Sequence, residues 1–201
     1  MFFANTSRYP TDAVAHLVAF AMAKLDVTGI AVNVKNCSRA YAGRAYHPVP
    51  RISSWYGRVG VADLIVLRVG APASFPCDNV TTTVRKQPLT DWLPAESTFP
   101  AGPDIRYERT GRGRRERWRA VRVTVVRHPY GGKESPLIEM RTWQECLVAL
   151  AAHEGQHIAQ FRAHARRSEV ECERYAAARL TAFRDALVSK ADAVPCARIG
   201  R

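Results

Sequence analysis

The feature that most constrains this chain is the order His153-Glu154-x-x-His157 within residues 143–161, WQECLVALAAHEGQHIAQF. Two histidines four apart on a helix stand one turn above each other, so both imidazoles can reach one ion. Glu154, beside the first histidine, can reach a water on that ion. Helical phase supports the helix. At about 100° per residue, Trp143, Leu147, Leu150, Ile158 and Phe161 fall on one apolar stripe, with Glu154 near its middle and His153 and His157 on its edge. A carboxylate centred on an apolar face is costly to bury without a partner, and a metal-held water is such a partner. The competing reading is an ordinary amphipathic helix, its histidines packed or solvated and Glu154 paired to an arginine.

The next segment favours the metal. Ser168 followed by Glu171 has the spacing of a capping box, so a second helix begins at about residue 169. On its wheel Glu169, Cys172, Glu173, Ala176, Leu180 and Phe183 share a face, while Glu171 points away with Arg174 nearby. A short connection makes the two helices antiparallel neighbours, which brings a carboxylate to the histidines. His164 and Cys146 each lie seven residues from the nearer motif histidine. That is roughly 10 Å along a helix, too far to join the same ion.

The spacing Glu169-x-Glu171-Cys172-Glu173-x-x-Ala176 resembles the Glu-x-Glu-Ala-Asp-x-x-Ala signature that follows His-Glu-x-x-His in small gluzincin metallopeptidases, with SprT-like and ImmA/IrrE-like proteases as more distant likenesses. It departs from the signature with Cys172 for Ala and Glu173 for Asp or Asn, and the gap between His157 and Glu169 is short. The resemblance covers residues 142–188. It implies Zn²⁺ held by His153, His157 and Glu169, with Glu173 either holding a ligand histidine or taking Glu169's place. It implies Glu154 as general base for peptide-bond hydrolysis, and an α+β minimal zincin: a small, mainly antiparallel sheet packed on the two helices. In that family the strand beside the active-site helix commonly docks an extended peptide, and residues 61–69 and 117–126 are the two candidates. Tyr130, His128, Tyr175 and Arg174 are candidate oxyanion donors. The metzincin subclass does not fit, because Gln160 replaces the glycine that turns the chain there.

The rest of the chain reads as part of one domain spanning 1–201. Residues 11–25 form an apolar helix, too short to span a bilayer and interrupted by Asp12 and His16, so secretion is the lesser alternative to a cytoplasmic location. Residues 29–36 alternate as a half-buried strand, the segment containing Gly43, Pro48 and Pro50 is loop or short strand, and the apolar run 61–69 is a central strand. Residues 71–103, rich in Pro, Ser, Thr and Asp, form a long surface excursion, 104–127 a hairpin and 190–201 a tail. Five cysteines without a Cys-x-x-Cys pair suggest reduced thiols, with a contact between Cys146 and Cys172 as one arrangement across the helix pair.

Lys and Arg exceed Asp and Glu by 12, more than solubility requires, which points to an acidic partner or to a generally basic proteome. The hairpin concentrates arginines, with Arg112, Arg114, Arg115, Arg117 and Arg119 as candidate nucleic-acid contacts and Tyr107 and Trp118 interleaved. Against this, Asp104, Glu108 and Glu116 dilute the charge, and a charged edge ribbon also discourages aggregation. The expected function is a zinc metallopeptidase acting on protein or peptide. The alternative is a non-catalytic, zinc-stabilised nucleic-acid-binding or assembly protein, encoded by a cell, a phage or another mobile element.

Overall fold

The computed structural model describes residues 1–48 and 60–192. Pro50, the tail from 193 and Cys196 lie outside them. Within the expected single domain the chain forms two compact units, one from residues 1–79 with 129 onward and one from Val80–His128.

In the first unit, strands β1 (Phe2–Asn5), β2 (Ile30–Asn36), β3 (Tyr41–Tyr46) and β4 (Asp63–Val69) form a sheet in the order β1-β2-β4-β3. β1, β2 and β4 run parallel, and β3 is an antiparallel edge. The sheet facing the helices is therefore mixed rather than mainly antiparallel. The reason lies in β2 and β4: Ile30, Val32, Val34, Ile65 and Leu67 face the helical core, while Ala31, Leu64 and Val66 join Val61 in a second buried cluster on the opposite face. A strand apolar on both faces suits a parallel sheet, and the run read as a central strand is indeed interior. Both edges of β4 are taken, so residues 61–69 cannot dock a peptide strand.

Three helices occur among the described residues: α1 (Thr11–Met22), α2 (Trp143–Arg162) and α3 (Glu169–Asp192). α1 buries Val14, Leu17, Val18, Ala21 and Met22, one face at helical spacing. It ends at Met22, before the expected residue 25, and Pro10 rather than Thr11 occupies its N-cap. α2 starts at Thr142, whose hydroxyl accepts the amide of Glu145 at 3.2 Å, while the Glu145 carboxylate takes the amide of Arg141 at 2.8 Å. Instead of one apolar stripe, α2 is buried on every side from Glu145 to Gly155, with His157, Ile158 and Gln160 buried beyond. At Gly155 an added Cβ would lie 2.8 Å from Leu25 Cδ1, so the missing side chain makes room for the α1 end. At its C-terminus Arg162 forks onto buried Asp63 (2.8 Å from Nε) and the Asp26 and Thr28 carbonyls, tying the helix to the start of β4.

The cap of α3 departs from a reciprocal box. Ser168 Oγ accepts the Glu171 amide at 3.3 Å, but the Ser168 amide donates to Gln160 Oε1, and Gln160 Nε2 donates to Glu171 at 2.9 Å. One side chain of α2 thus completes the cap of α3. α3 continues through 190 to Asp192, into the segment expected to be tail. Two-residue strands β5 (Cys77–Asp78) and β9 (Glu139–Met140) pair antiparallel beside the helices. Cys37, Cys77, Cys146 and Cys172 are all free thiols, with Cys77 the hydrogen-bond partner of Cys146 and His157 Nδ1 3.3 Å from Cys172 Sγ.

The second unit is a three-stranded sheet in the order β6-β8-β7, from β6 (Val80–Pro88), β7 (Ile105–Thr110) and β8 (Arg117–Pro129). The expected hairpin is present, with Ile105 opposite Arg122 and Thr110 opposite Arg117. Part of the expected surface excursion is strand: β6 flanks β8, its run of Thr, Val and Arg being mostly exposed, so it lacked the apolar alternation by which strands are read. No described helix is long and apolar enough to cross a membrane.

Glu145 joins the two long helices through Arg184, whose Nη2 lies 2.7 Å away. Burial pushes the Glu145 carboxyl up, but Arg184 and the Arg141 amide outweigh it and hold it below the ordinary 4.5. A lowered carboxylate stabilises the fold above its unfolded pKa, and that contribution disappears as pH falls through the folded value. Glu145→Gln should therefore cost roughly 1–2 kcal/mol in urea unfolding at neutral pH. The difference from wild type should shrink as pH falls below the ordinary 4.5 and through the lowered folded value, where Glu145 takes up its proton.

Candidate metal centre

α2 supplies His153, Glu154 and His157, and α3 supplies Glu169, Cys172 and Glu173, so the site exists because these antiparallel helices pack face to face. Glu169 Oε2 lies 3.4 Å from His153 Nε2 and 3.2 Å from His157 Nε2. Each of these two distances is close to the roughly 3.3 Å that separates donor atoms held about 2.0–2.1 Å from a tetrahedral ion.

The opposite edges of both rings are also held. His153 Nδ1 is 3.2 Å from Glu173 Oε1, and Glu173 Oε2 accepts Asn79 Nδ2 at 2.8 Å. Asn79 is itself fixed, accepting the Ile138 amide at 2.8 Å and donating to the Pro136 carbonyl at 3.0 Å. His157 Nδ1 is 3.3 Å from Cys172 Sγ. His153, His157 and Cys172 offer donor atoms within 4.8 Å of one another, a buried group that could hold a metal ion. Glu169 is the carboxylate at the Nε2 edges and Cys172 the sulfur at an Nδ1 edge. Arg167 binds the other Glu169 oxygen at 3.0 Å.

Burial draws the His153 imidazole down, yet the hydrogen bond it donates to Glu173 and the charges of Glu154, Glu173 and Glu169 leave it net raised. His157 is lowered, by burial and then by the neighbouring His153. Burial also pushes up the Cys172 thiol, followed by the nearby Glu169, Glu154 and Glu173 charges. Glu154 is pushed up to about 7, chiefly by burial, although the Ala45 amide bonds its carboxylate. Among the described residues it forms no ion pair with an arginine, the feature expected of an accidental motif. Gly43 on β3 explains how the strand comes so close: an added Cβ would lie 2.3 Å from Glu154 Oε1 and 2.8 Å from Leu150 Cδ1.

A cleft of about 510 Å³ opens over these groups, lined on one side by β3 and on the other by His153, Glu154, His157 and Phe161. The strand beside the motif helix is thus β3, from the segment read as loop or short strand. Residues 117–126, the other docking candidate, belong to the second unit. Of the candidate oxyanion donors, Tyr130 lines the cleft, its ring 6.0 Å from that of His153. Tyr175 and Arg174 do not line it, and His128 lies in the second unit. Asn79, Gly43 and Gln160 carry no local signal that sequence reading could use, because each acts through a partner remote in sequence or on the other helix. Arg167 acts on Glu169 only two residues away, where no pattern marks the pairing.

The arginine candidates are exposed at Arg112, Arg114, Arg115 and Arg117, whereas Arg119 is half-buried between Glu108 and the face of Trp92. No protein-family model, curated protein or solved structure matches the chain.

Removing the charge of Glu173 tests the outer partner of His153 without touching an Nε2 edge. Glu173→Gln should lower the affinity for an added divalent metal ion by about 10- to 100-fold, measured by competition with a chelating dye.

Proposed function

We propose that this chain is a zinc-dependent metallopeptidase with a minimal zincin arrangement, in which His153, His157 and Glu169 hold the ion and Glu154 is the general base. The observation that carries this reading is the convergence of Glu169 Oε2 on both Nε2 atoms at 3.2 and 3.4 Å, with Glu154 beside them. Glu173 and Cys172 sit on the Nδ1 edges, where outer partners orient ligand histidines, and this favours Glu169 over either as the third ligand.

His153, His157 and Glu169 would hold the ion, which when bound would supply Lewis acidity toward a carbonyl and lower the pKa of a water toward about 7. The protein does the rest. Glu154, its carboxyl pushed up to about 7, takes a proton near neutral pH and returns it to the leaving amine. Burial on α2 and the Ala45 amide fix its position. Tyr130, at the mouth of the cleft, is placed to donate a hydrogen bond to the developing oxyanion. Substrate enters as an extended peptide along the edge of β3 that has no partner strand among the described residues, adding a strand there while β3 side chains line the cleft.

Two measurements test this. Glu154→Gln should keep one zinc per chain and lose hydrolysis of a denatured protein substrate by at least about 100-fold, the scale of general-base catalysis. Retained turnover would reject Glu154 as base. In metal analysis of purified protein, Glu169→Ala should lose the zinc that Cys172→Ala retains at comparable loading. The reverse result would assign the ion to the histidine–cysteine group.

A further inference from the structure

The second unit carries half of the chain's net charge in a quarter of its length: eleven Lys and Arg against five Asp and Glu over residues 80–128. The three carboxylates on or next to its strands are already engaged. Glu108 binds Lys86 Nζ and Arg119 Nη2, each at 2.6 Å. Asp104 binds Arg122 at 3.0 Å. Glu116 accepts Trp118 Nε1 at 2.8 Å and lies 3.9 Å from Arg109. Asp91 and Glu96 are in the connection between β6 and β7. The acids thus hold Lys86, Arg109, Arg119 and Arg122, while Arg85, Arg106 and Arg127 stand singly along the strands. The tip gathers Arg112, Arg114, Arg115 and Arg117, all exposed and with no described carboxylate paired to them.

The tip is a built turn. Arg115 donates its amide to the Arg112 carbonyl and Glu116 to Gly113, forming a short 3-10 turn over Gly113–Arg115. Gly111 has φ +77°, and an added Cβ would lie 2.3 Å from the Arg115 carbonyl oxygen, so only glycine allows the closure. Guanidinium groups on such a turn meet an array of regularly spaced anions that match their donor geometry. The aromatic residues are spent differently. Trp92 carries Arg119 at 4.5 Å and Trp118 carries Arg109 at 5.9 Å, so one face of each ring is taken by an arginine of the ribbon itself, and no aromatic residue lies within the turn 111–117.

We infer that the hairpin tip Gly111–Arg117 is a nucleic-acid-binding site that contacts the phosphate backbone through Arg112, Arg114, Arg115 and Arg117 without reading bases. This site is independent of the metal reading. Binding rests on charge and release of counterions, so it is strongly salt-dependent and indifferent to base sequence.

The test is fluorescence anisotropy of a short labelled DNA duplex with the full chain, between about 50 and 200 mM salt. Replacing Arg112, Arg114 and Arg115 together by Ala should weaken binding at least about tenfold and flatten the plot of log affinity against log salt by about 3, roughly one per arginine. Replacing the same three by Lys keeps the charge and should retain most of the affinity. The triple variant Lys35→Ala, Arg39→Ala, Arg68→Ala removes as many exposed cations from the first unit and should leave binding unchanged. Failure of wild type to bind DNA at low salt, or equal losses in the tip and control alanine variants, would overturn the assignment. So would binding to phosphatidylserine vesicles in the absence of DNA binding, which would reassign the tip to anionic membrane.

Discussion

Everything at the candidate metal centre depends on one packing contact, that of α2 against α3. Neither helix holds a complete donor set. α2 places two imidazoles one turn apart, and α3 places Glu169 at their Nε2 edges and Glu173 and Cys172 at their Nδ1 edges. The contact is fixed at both ends by polar groups with no free choice of partner. Gln160 completes the α3 cap, and Glu145 and Arg184 clamp the other end. Between them Leu147, Leu150, Ile158, Ala176 and Leu180 exclude water, and burying each large apolar side chain contributes roughly 1.5–3 kcal/mol.

The same burial shapes the chemistry. A carboxyl inside a helix packed on all sides loses solvation, which is why Glu154 is pushed up to about 7. A sheet edge must approach such a helix closely for a substrate strand to reach it, and Gly43 is the concession that allows this. The close fit of β3 on Glu154 thus links the edge on which a peptide would pair to the group that would move its proton.

Charge is partitioned rather than spread. In the second unit, carboxylates and aromatic faces occupy Arg109, Arg119 and Arg122 on the strands, and a glycine-closed turn gathers Arg112, Arg114, Arg115 and Arg117. Composition alone treats these cations as equivalent. Their neighbours make them different.

By itself the sequence determined the elements that local periodicity and capping control. The helix bearing His153, Glu154 and His157, the start of the next helix at Ser168, the two apolar strands and the arginine hairpin were all legible, because a 3.6 or 2 residue repeat encodes which face is buried. So were the candidate donors Glu169 and Glu173; helical phase puts Cys172 on the same face, but only its place 3.3 Å from His157 Nδ1 makes it a donor. Their division between the two edges of the histidine rings was not legible, because it depends on the rotation of α3 against α2, a matter of fractions of a turn. The parallel order of the main sheet, the edge position of β3, the role of Asn79 behind Glu173 and the third strand of the ribbon likewise belong to tertiary structure. Each joins residues far apart in the chain, and no local pattern records a partner that only folding brings near.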